Sequence, residues 1–214
     1  WRIRRWLLRR HACIANATIT KSKQMEDTLP PRIRSRNTVV PNGINRSLFR
    51  PMSRSKARSE LGWRDDDVVV LFAANPDNER KGFKMARSAC EIASKKIDGL
   101  RLQVAWGVPP DKMPKLMAAA DCLLFPSLSE GSPNVVKEAI ACALPVITTD
   151  VGDVRYLLAS VSPSRILPAD PAELSTGLVE LLSHPVRSNG YEVSEQFDER
   201  LVALRIADLY DEVL

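Results

Sequence analysis

The stretch AADCLLFPSLSEGSPNVVKEAIACALPVITTDVGDV (119–154) decides the fold. Its first apolar run, DCLLFP (121–126), has the length of a strand buried on both faces. A polar loop follows, and then Pro133–Ala143 carries apolar residues at helical spacing. PVITTD (145–150) is again a buried strand. Ser132 is expected to cap the helix, with Pro133 as its first residue, a favoured pairing. Such a turn aims free backbone N–H groups and the positive end of the helix dipole at the carboxyl end of the preceding strand, an arrangement that attracts phosphate. Glu130 in the loop and Glu138 in the second helical turn flank it. Two carboxylates repel phosphate but accept hydrogen bonds from sugar hydroxyls. The plainer alternative, a solvated loop residue and a surface helix residue, stays open for the pair by itself.

Working outward, the same alternation continues. DVVVLFAA (67–74) and LRLQVAW (100–106) are strands, separated by the helical pattern GFKMARSACEIASKKI (82–97). PDKMPKLMAAA (110–120) is a short helix opened by proline. SRILP (164–168) is a brief strand, and 171–184 and 197–214 are helices. Strands separated by helices of this length predict a doubly wound, Rossmann-like parallel sheet with right-handed crossovers. Ligands of such sheets bind at the carboxyl ends of the strands. The loop AANPDNERKGF (73–83) leaves one of those ends and carries Arg80 and Lys81, two cations able to neutralise a pyrophosphate. Taken alone they are equally well two solvated basic residues, and VVPNGIN (39–45) is equally well a plain strand and turn. HACIANATIT (11–20) predicts a strand. Pro30 and Pro31 are expected to break any helix over 29–35.

Charge divides unevenly. Residues 1–58 hold 15 Lys and Arg against Glu26 and Asp27, and the remainder holds 16 against 24 acids, so +13 and −8 make the overall +5. Two structural units with different partners follow, the basic one fitting an anionic membrane surface, a polyanion or another domain. Nucleic acid is not expected, because Trp1 and Trp6 do not interleave with the cations as a stacking platform. The four cysteines and two histidines lack metal-ligand spacing, which argues against zinc. Cysteines among apolar residues predict free thiols and a reducing, cytoplasmic setting. No run of about 18 apolar residues predicts a membrane span. The opening WRIRRWLLRRH has no h-region and reads as the interior of a longer protein rather than a signal peptide.

Taken together, VVPNGIN, Lys81–Gly82 after the first body strand, and 119–154 with its E-x7-E pattern at Glu130 and Glu138 resemble the carboxyl-terminal domain of retaining GT-B glycosyltransferases of family 4 type. The resemblance runs over residues 37 to 183, and the helix 197–214 is similar to the one that closes this fold. It implies that Lys81 contacts the donor phosphates, Glu138 the ribose and Glu130 the transferred sugar, with Lys81 and Glu130 as the catalytic pair. By the same resemblance the backbone at Ser132, Pro133, Asn134 and Val135 is the phosphate-facing turn, and Gly131 belongs to the donor-binding set. The chain departs from the pattern at Ala74 and Asn75, where many members have Gly-Arg. Asn75 is retained in the donor-binding set, and Arg80 stands in by position. Pro133 replaces a common glycine, and GVPPDKMP (107–114) is shorter than usual.

The resemblance further implies a division into residues 1–36 as the remnant of the amino-terminal acceptor domain, 37–196 as the nucleotide-sugar-binding domain, and 197–214 as the closing helix. His11 matches no catalytic motif and is expected to be structural. The function implied is sugar transfer from a nucleotide diphosphate sugar, without metal or other cofactor, in polysaccharide or glycolipid assembly. The acceptor is then an unidentified glycan or lipid-linked glycan, and the setting is cytoplasmic with peripheral membrane contact. A non-catalytic nucleotide-sugar-binding module and a sugar-nucleotide epimerase of the same fold are the alternatives.

Overall fold

A computed structural model describes residues 14–213. The expected strand 11–20 therefore lies partly, and His11 and Cys13 wholly, outside the described residues. The main sheet contains β3 (Val68–Phe72), β4 (Leu100–Val104), β5 (Cys122–Phe125), β6 (Val146–Thr149) and β7 (Arg165–Leu167). They are all parallel, in the order β4-β3-β5-β6-β7.

Alternate strand residues enter two cores, as the period of two requires. Val70, Phe72, Cys122, Leu124 and Ile147 pack against α4 (Phe83–Ala93) and α8 (Pro171–Leu182). Val69, Leu71, Leu123, Phe125 and Val146 pack on the other face with Met117 of α5 (Met113–Ala119), Val136 and Ile140 of α6 (Asn134–Ala141), and Leu157 of α7 (Val154–Leu158). This is the doubly wound, Rossmann-like arrangement. The chain leaves β3 toward β4, then returns to β5 on β3's other side. The switch point, where doubly wound sheets hold ligands, thus lies at the carboxyl ends of β3 and β5.

Ahead of the main sheet, β1 (Thr18–Thr20) and β2 (Asn37–Val39) form a separate parallel pair, joined through α1 (Lys23–Asp27) and α2 (Pro31–Arg34). Here Pro31 does not break the helix but opens it, because the first turn needs no N–H donor. Ile33 is fully buried, and the Asn37 amide donates to the buried Glu26 carboxylate at 2.9 Å. β2 pairs with β1 and with none of the main strands, so residues 37–39 go with the amino-terminal segment in their hydrogen bonding. The chain crosses into the body at 40–44, where Val40 and Ile44 are buried.

Besides the one-turn α9 (Gly190–Val193), two further helices escape the periodicity reading: α3 (Arg54–Leu61) and α7. The former is too polar to show an apolar stripe; what holds it is the fully buried Arg58. After α9 and a short 3-10 turn, α10 (Glu199–Asp211) ends the described chain. No described helix is long and apolar enough to cross a membrane. Cys90, Cys122 and Cys142 are buried free thiols, and burial pushes Cys90 and Cys142 each up to about 12.

Candidate functional site

Three loops meet at the carboxyl ends of β3, β5 and β6, and glycine makes two of the junctions. Residues Glu79–Lys81 form a 3-10 turn that ends at Gly82, whose φ is +72°. A Cβ at Gly82 would sit 2.0 Å from the Pro126 carbonyl oxygen, so only glycine lets the two loops approach this closely. The Leu128 N–H donates to the Arg80 carbonyl at 2.8 Å across the same junction. Gly152, with φ +58°, likewise presses on the loop of β5; its Cβ would lie 2.4 Å from the Gly131 carbonyl oxygen.

This scaffold brings Lys81 and Glu130 together. The Lys81 ammonium donates to Glu130 Oε1 at 2.7 Å and sits 5.7 Å from the centre of the Phe125 ring. The Ser127 hydroxyl lies 2.7 Å from the same Glu130 oxygen and 3.1 Å from the Arg80 carbonyl, and its single proton serves one of them at a time. A cation fixed between a carboxylate and an aromatic face is a preformed counter-charge for a phosphate. Arg80 itself is exposed, and its contribution to the junction is its carbonyl. Asn75 spends its side-chain oxygen on the Asp77 N–H at 2.9 Å, closing a local turn.

The helix start differs from expectation. Pro133, not Ser132, is the N-cap, with φ −74° and ψ 114°, and no side chain caps α6. The Ser132 hydroxyl is instead buried toward Asp153. Neither it nor the Asp153 carboxylate completes a hydrogen bond of proper geometry. The first N–H groups of α6, beginning at Asn134 and Val135, thus have no side-chain acceptor.

VVPNGIN gains its meaning here. The Asn42 amide donates to the Asn134 side chain at 3.3 Å, and Lys137 donates to the Asn42 carbonyl at 2.9 Å. A Cβ on Gly43 would lie 2.5 Å from Glu199 Cα, and Ile44 exchanges backbone bonds with Phe197 and Glu199. The segment therefore ties α6 to the start of α10. Lys137 and Asp153 were missed in the sequence. Lys137 shares its spacing with Ile140, Ala141 and Leu144, which places a lysine on the buried stripe of α6. It is fully buried, and burial pulls its ammonium down to about 8. Burial pushes the Asp153 carboxyl up, opposed by Ser132 and the Lys137 charge.

Glu138 lies half-buried in the second turn of α6, and burial pushes its carboxyl up to about 6. The sign follows directly. The folded state holds this proton more tightly than the unfolded chain, so Glu138 costs stability as pH rises from about 4.5 to 6, reaching about 2 kcal/mol above that. A ligand hydroxyl that needs the ionised form binds better as pH rises through 6. With a ligand whose own groups do not titrate over this range, affinity is expected to increase between pH 5 and 7 by a few-fold (roughly 1 kcal/mol,). Glu138→Gln should flatten that profile and raise urea stability at pH 7.5; a slope retained in the variant would remove Glu138 from the site.

Among the described residues, no group of three or more His, Cys, Asp or Glu side chains converges as a metal site.

Known proteins share this fold and parts of this sequence. The family described as Glycosyl transferases group 1 matches residues 86–184. The chain is 28% identical to the D-inositol 3-phosphate glycosyltransferase of Thermobispora bispora, over 94% of this chain and 56% of that protein. Among solved structures it is similar to sucrose-phosphate synthase from Thermosynechococcus elongatus, with a TM-score of 0.78 and 23% identity over 93% of this chain and 58% of that one. It is also similar to the HepE protein of Anabaena in complex with UDP, with a TM-score of 0.74 and 20% identity over 92% and 64%. The chain has the fold of a GT-B carboxyl-terminal domain, and the relatives matched in sequence are glycosyltransferases. It spans just over half the length of the first curated relative it matches.

Proposed function

We propose that this chain is the donor-binding half of a retaining, family 4 type glycosyltransferase that uses a nucleotide diphosphate sugar. The observation that carries the reading is the Lys81–Glu130 pair at the switch point, beside an α6 N-terminus without a side-chain cap. In this reading the diphosphate lies between Lys81 and the N–H groups of residues 134–135. Glu130 exchanges its bond to Lys81 for one to the sugar, and Glu138 takes the ribose. As the sugar departs, charge gathers on the diphosphate, and Lys81 and the helix N-terminus stabilise it without a metal. The segment up to β2 then belongs to the acceptor side, α10 closes the donor domain, and the whole enzyme works on the cytoplasmic side in polysaccharide or glycolipid assembly.

Support comes from the relatives' own names, which describe glycosyl transfer, and from the HepE structure, which holds UDP in the same fold. Calorimetry with UDP-, GDP- and ADP-sugars in the presence of a metal chelator tests the reading. One base is expected to bind, with no gain on adding Mg2+ or Mn2+. The isolated chain is expected to show at most slow donor hydrolysis, because transfer requires both substrates in a closed, water-poor cleft. Absence of binding to all three nucleotides would refute the donor role. Robust transfer by this chain alone would refute the two-half organisation.

A further inference from the structure

A second cleft, of about 470 Å3, opens between the amino-terminal segment and the loop that follows β6. Its walls include Lys21 just after β1, Lys23 at the start of α1, Gly152 after β6, Tyr156 of α7 and Arg205 of α10. It adjoins the donor loop directly, since Gly152 is the residue that presses on the Gly131 carbonyl.

Three features of this cleft point to one class of ligand. First, its lining is basic, and the charge is only partly spent. Lys23 pairs with Glu26, and Arg155 pairs with Asp150 at 2.7 Å. Lys21 and Arg205 are exposed and form no ion pair among the described residues. Second, the one acidic lining residue, Asp153, is a buried carboxyl whose oxygens turn toward Ser132, so it does not cancel that charge at the surface. Third, Tyr156 is 56% exposed yet fixed. Its hydroxyl donates to Gln196 at 2.8 Å, and its ring meets Phe197 edge-on with centroids 6.1 Å apart. An exposed aromatic ring held in one orientation is a surface for the C–H face of a pyranose, bound at low entropic cost. Free cations beside it recognise a carboxylate or a phosphate.

We propose that this cleft binds an anionic carbohydrate unit, stacked on Tyr156 and held through its acidic group by Lys21 and Arg205, as the acceptor of the transfer. The inference rests on the glycosyltransferase reading for the word acceptor, but not for the binding itself. The anionic group is a sugar carboxylate or a sugar phosphate, and both have the same chemistry toward these cations.

The test uses the full chain saturated with the nucleoside diphosphate selected by the calorimetric panel, which keeps the probes out of the diphosphate subsite, while the substitutions in this cleft separate it from the sugar subsite beside Glu130. If none is selected, the chain is titrated free and the donor reading fails on its own. Glucose, glucuronate and glucose 6-phosphate are titrated by NMR at low ionic strength. Glucuronate or glucose 6-phosphate is expected to bind, and the tighter of the two names the acidic group; glucose should bind at least several-fold more weakly. Lys21→Ala and Arg205→Ala should each weaken the anion about three- to ten-fold, and Tyr156→Ala should weaken it comparably. Nucleotide affinity should stay the same in all three variants. Equal affinity for glucose and the anions, no binding of either anion, or anion binding untouched by all three substitutions would overturn the proposal.

Discussion

Lys81→Ala is expected to weaken nucleoside diphosphate binding by about 1.5–3 kcal/mol, roughly 10- to 150-fold in Kd. The Lys81 side chain is about one-quarter exposed and that of Glu130 less so, a setting in which a charge-assisted bond keeps most of its strength. Two losses add in the variant. The phosphate loses its cation, and Glu130 is left unneutralised beside it, with only Ser127 as a partner. Glu130→Gln separates these. It removes the competitor for Lys81, so the nucleoside diphosphate should bind as well or a few-fold tighter, while the extra affinity contributed by the sugar should fall. The two variants thus move diphosphate affinity in opposite directions. Calorimetry with the diphosphate and the diphosphate sugar reads both, and an unchanged diphosphate affinity in Lys81→Ala would remove this lysine from the phosphate site.

The fold was legible wherever an element had a periodic apolar signature. All five main strands fall within the runs read from sequence; the central β3, β5 and β6 are buried on both faces and read as short apolar, β-branched runs, whereas the outer β4 and β7 are only partly buried and carry Arg101, Gln103 and Arg165. α3 was not legible, since its buried face is made by Arg58, and a buried arginine looks like a surface one in a pattern of apolar residues. At the site, the loop positions of Lys81 and Glu130 followed from the strand ends, and the structure places the two in contact. Their contact depends on Gly82 and Gly152, whose role is a close approach between loops 44 and 21 residues apart in sequence, counted to Pro126 and Gly131. Such proximity leaves no local trace. The cap was misread because Ser-Pro before a helix fits two registers, and burial beside Asp153 selects the one that takes Ser132 out of the capping position. VVPNGIN was a plain turn in isolation for the same reason: its glycine is explained by Glu199, 156 residues away.

Asp121→Ala is expected to be strongly destabilising, by about 3–5 kcal/mol. Asp121 closes the amino end of β5. One oxygen accepts from Arg58 at 2.8 Å and from the Val69 N–H of β3 at 2.7 Å, and the other accepts from Arg54 at 3.0 Å. Arg58 has no exposed surface and donates further to the carbonyls of Ala119, Arg64, Asp65 and Asp67. Burial pulls its guanidinium down, and the Asp121 charge is the largest influence restoring it. Removing the carboxylate strands a buried cation among neutral carbonyls and leaves the Val69 N–H without that acceptor. Against a stability of about 5–15 kcal/mol this is a large share, and thermal unfolding should fall by roughly 6–20 °C. Asp121→Ala combined with Arg58→Met should recover part of the loss, since the stranded charge goes too. The site lies at the opposite end of β5, so the folded variant should bind nucleotide as the parent does. A Tm within about 2 °C of the parent would mean that water reaches Arg58, and that α3 is held by its packing rather than by this ion pair.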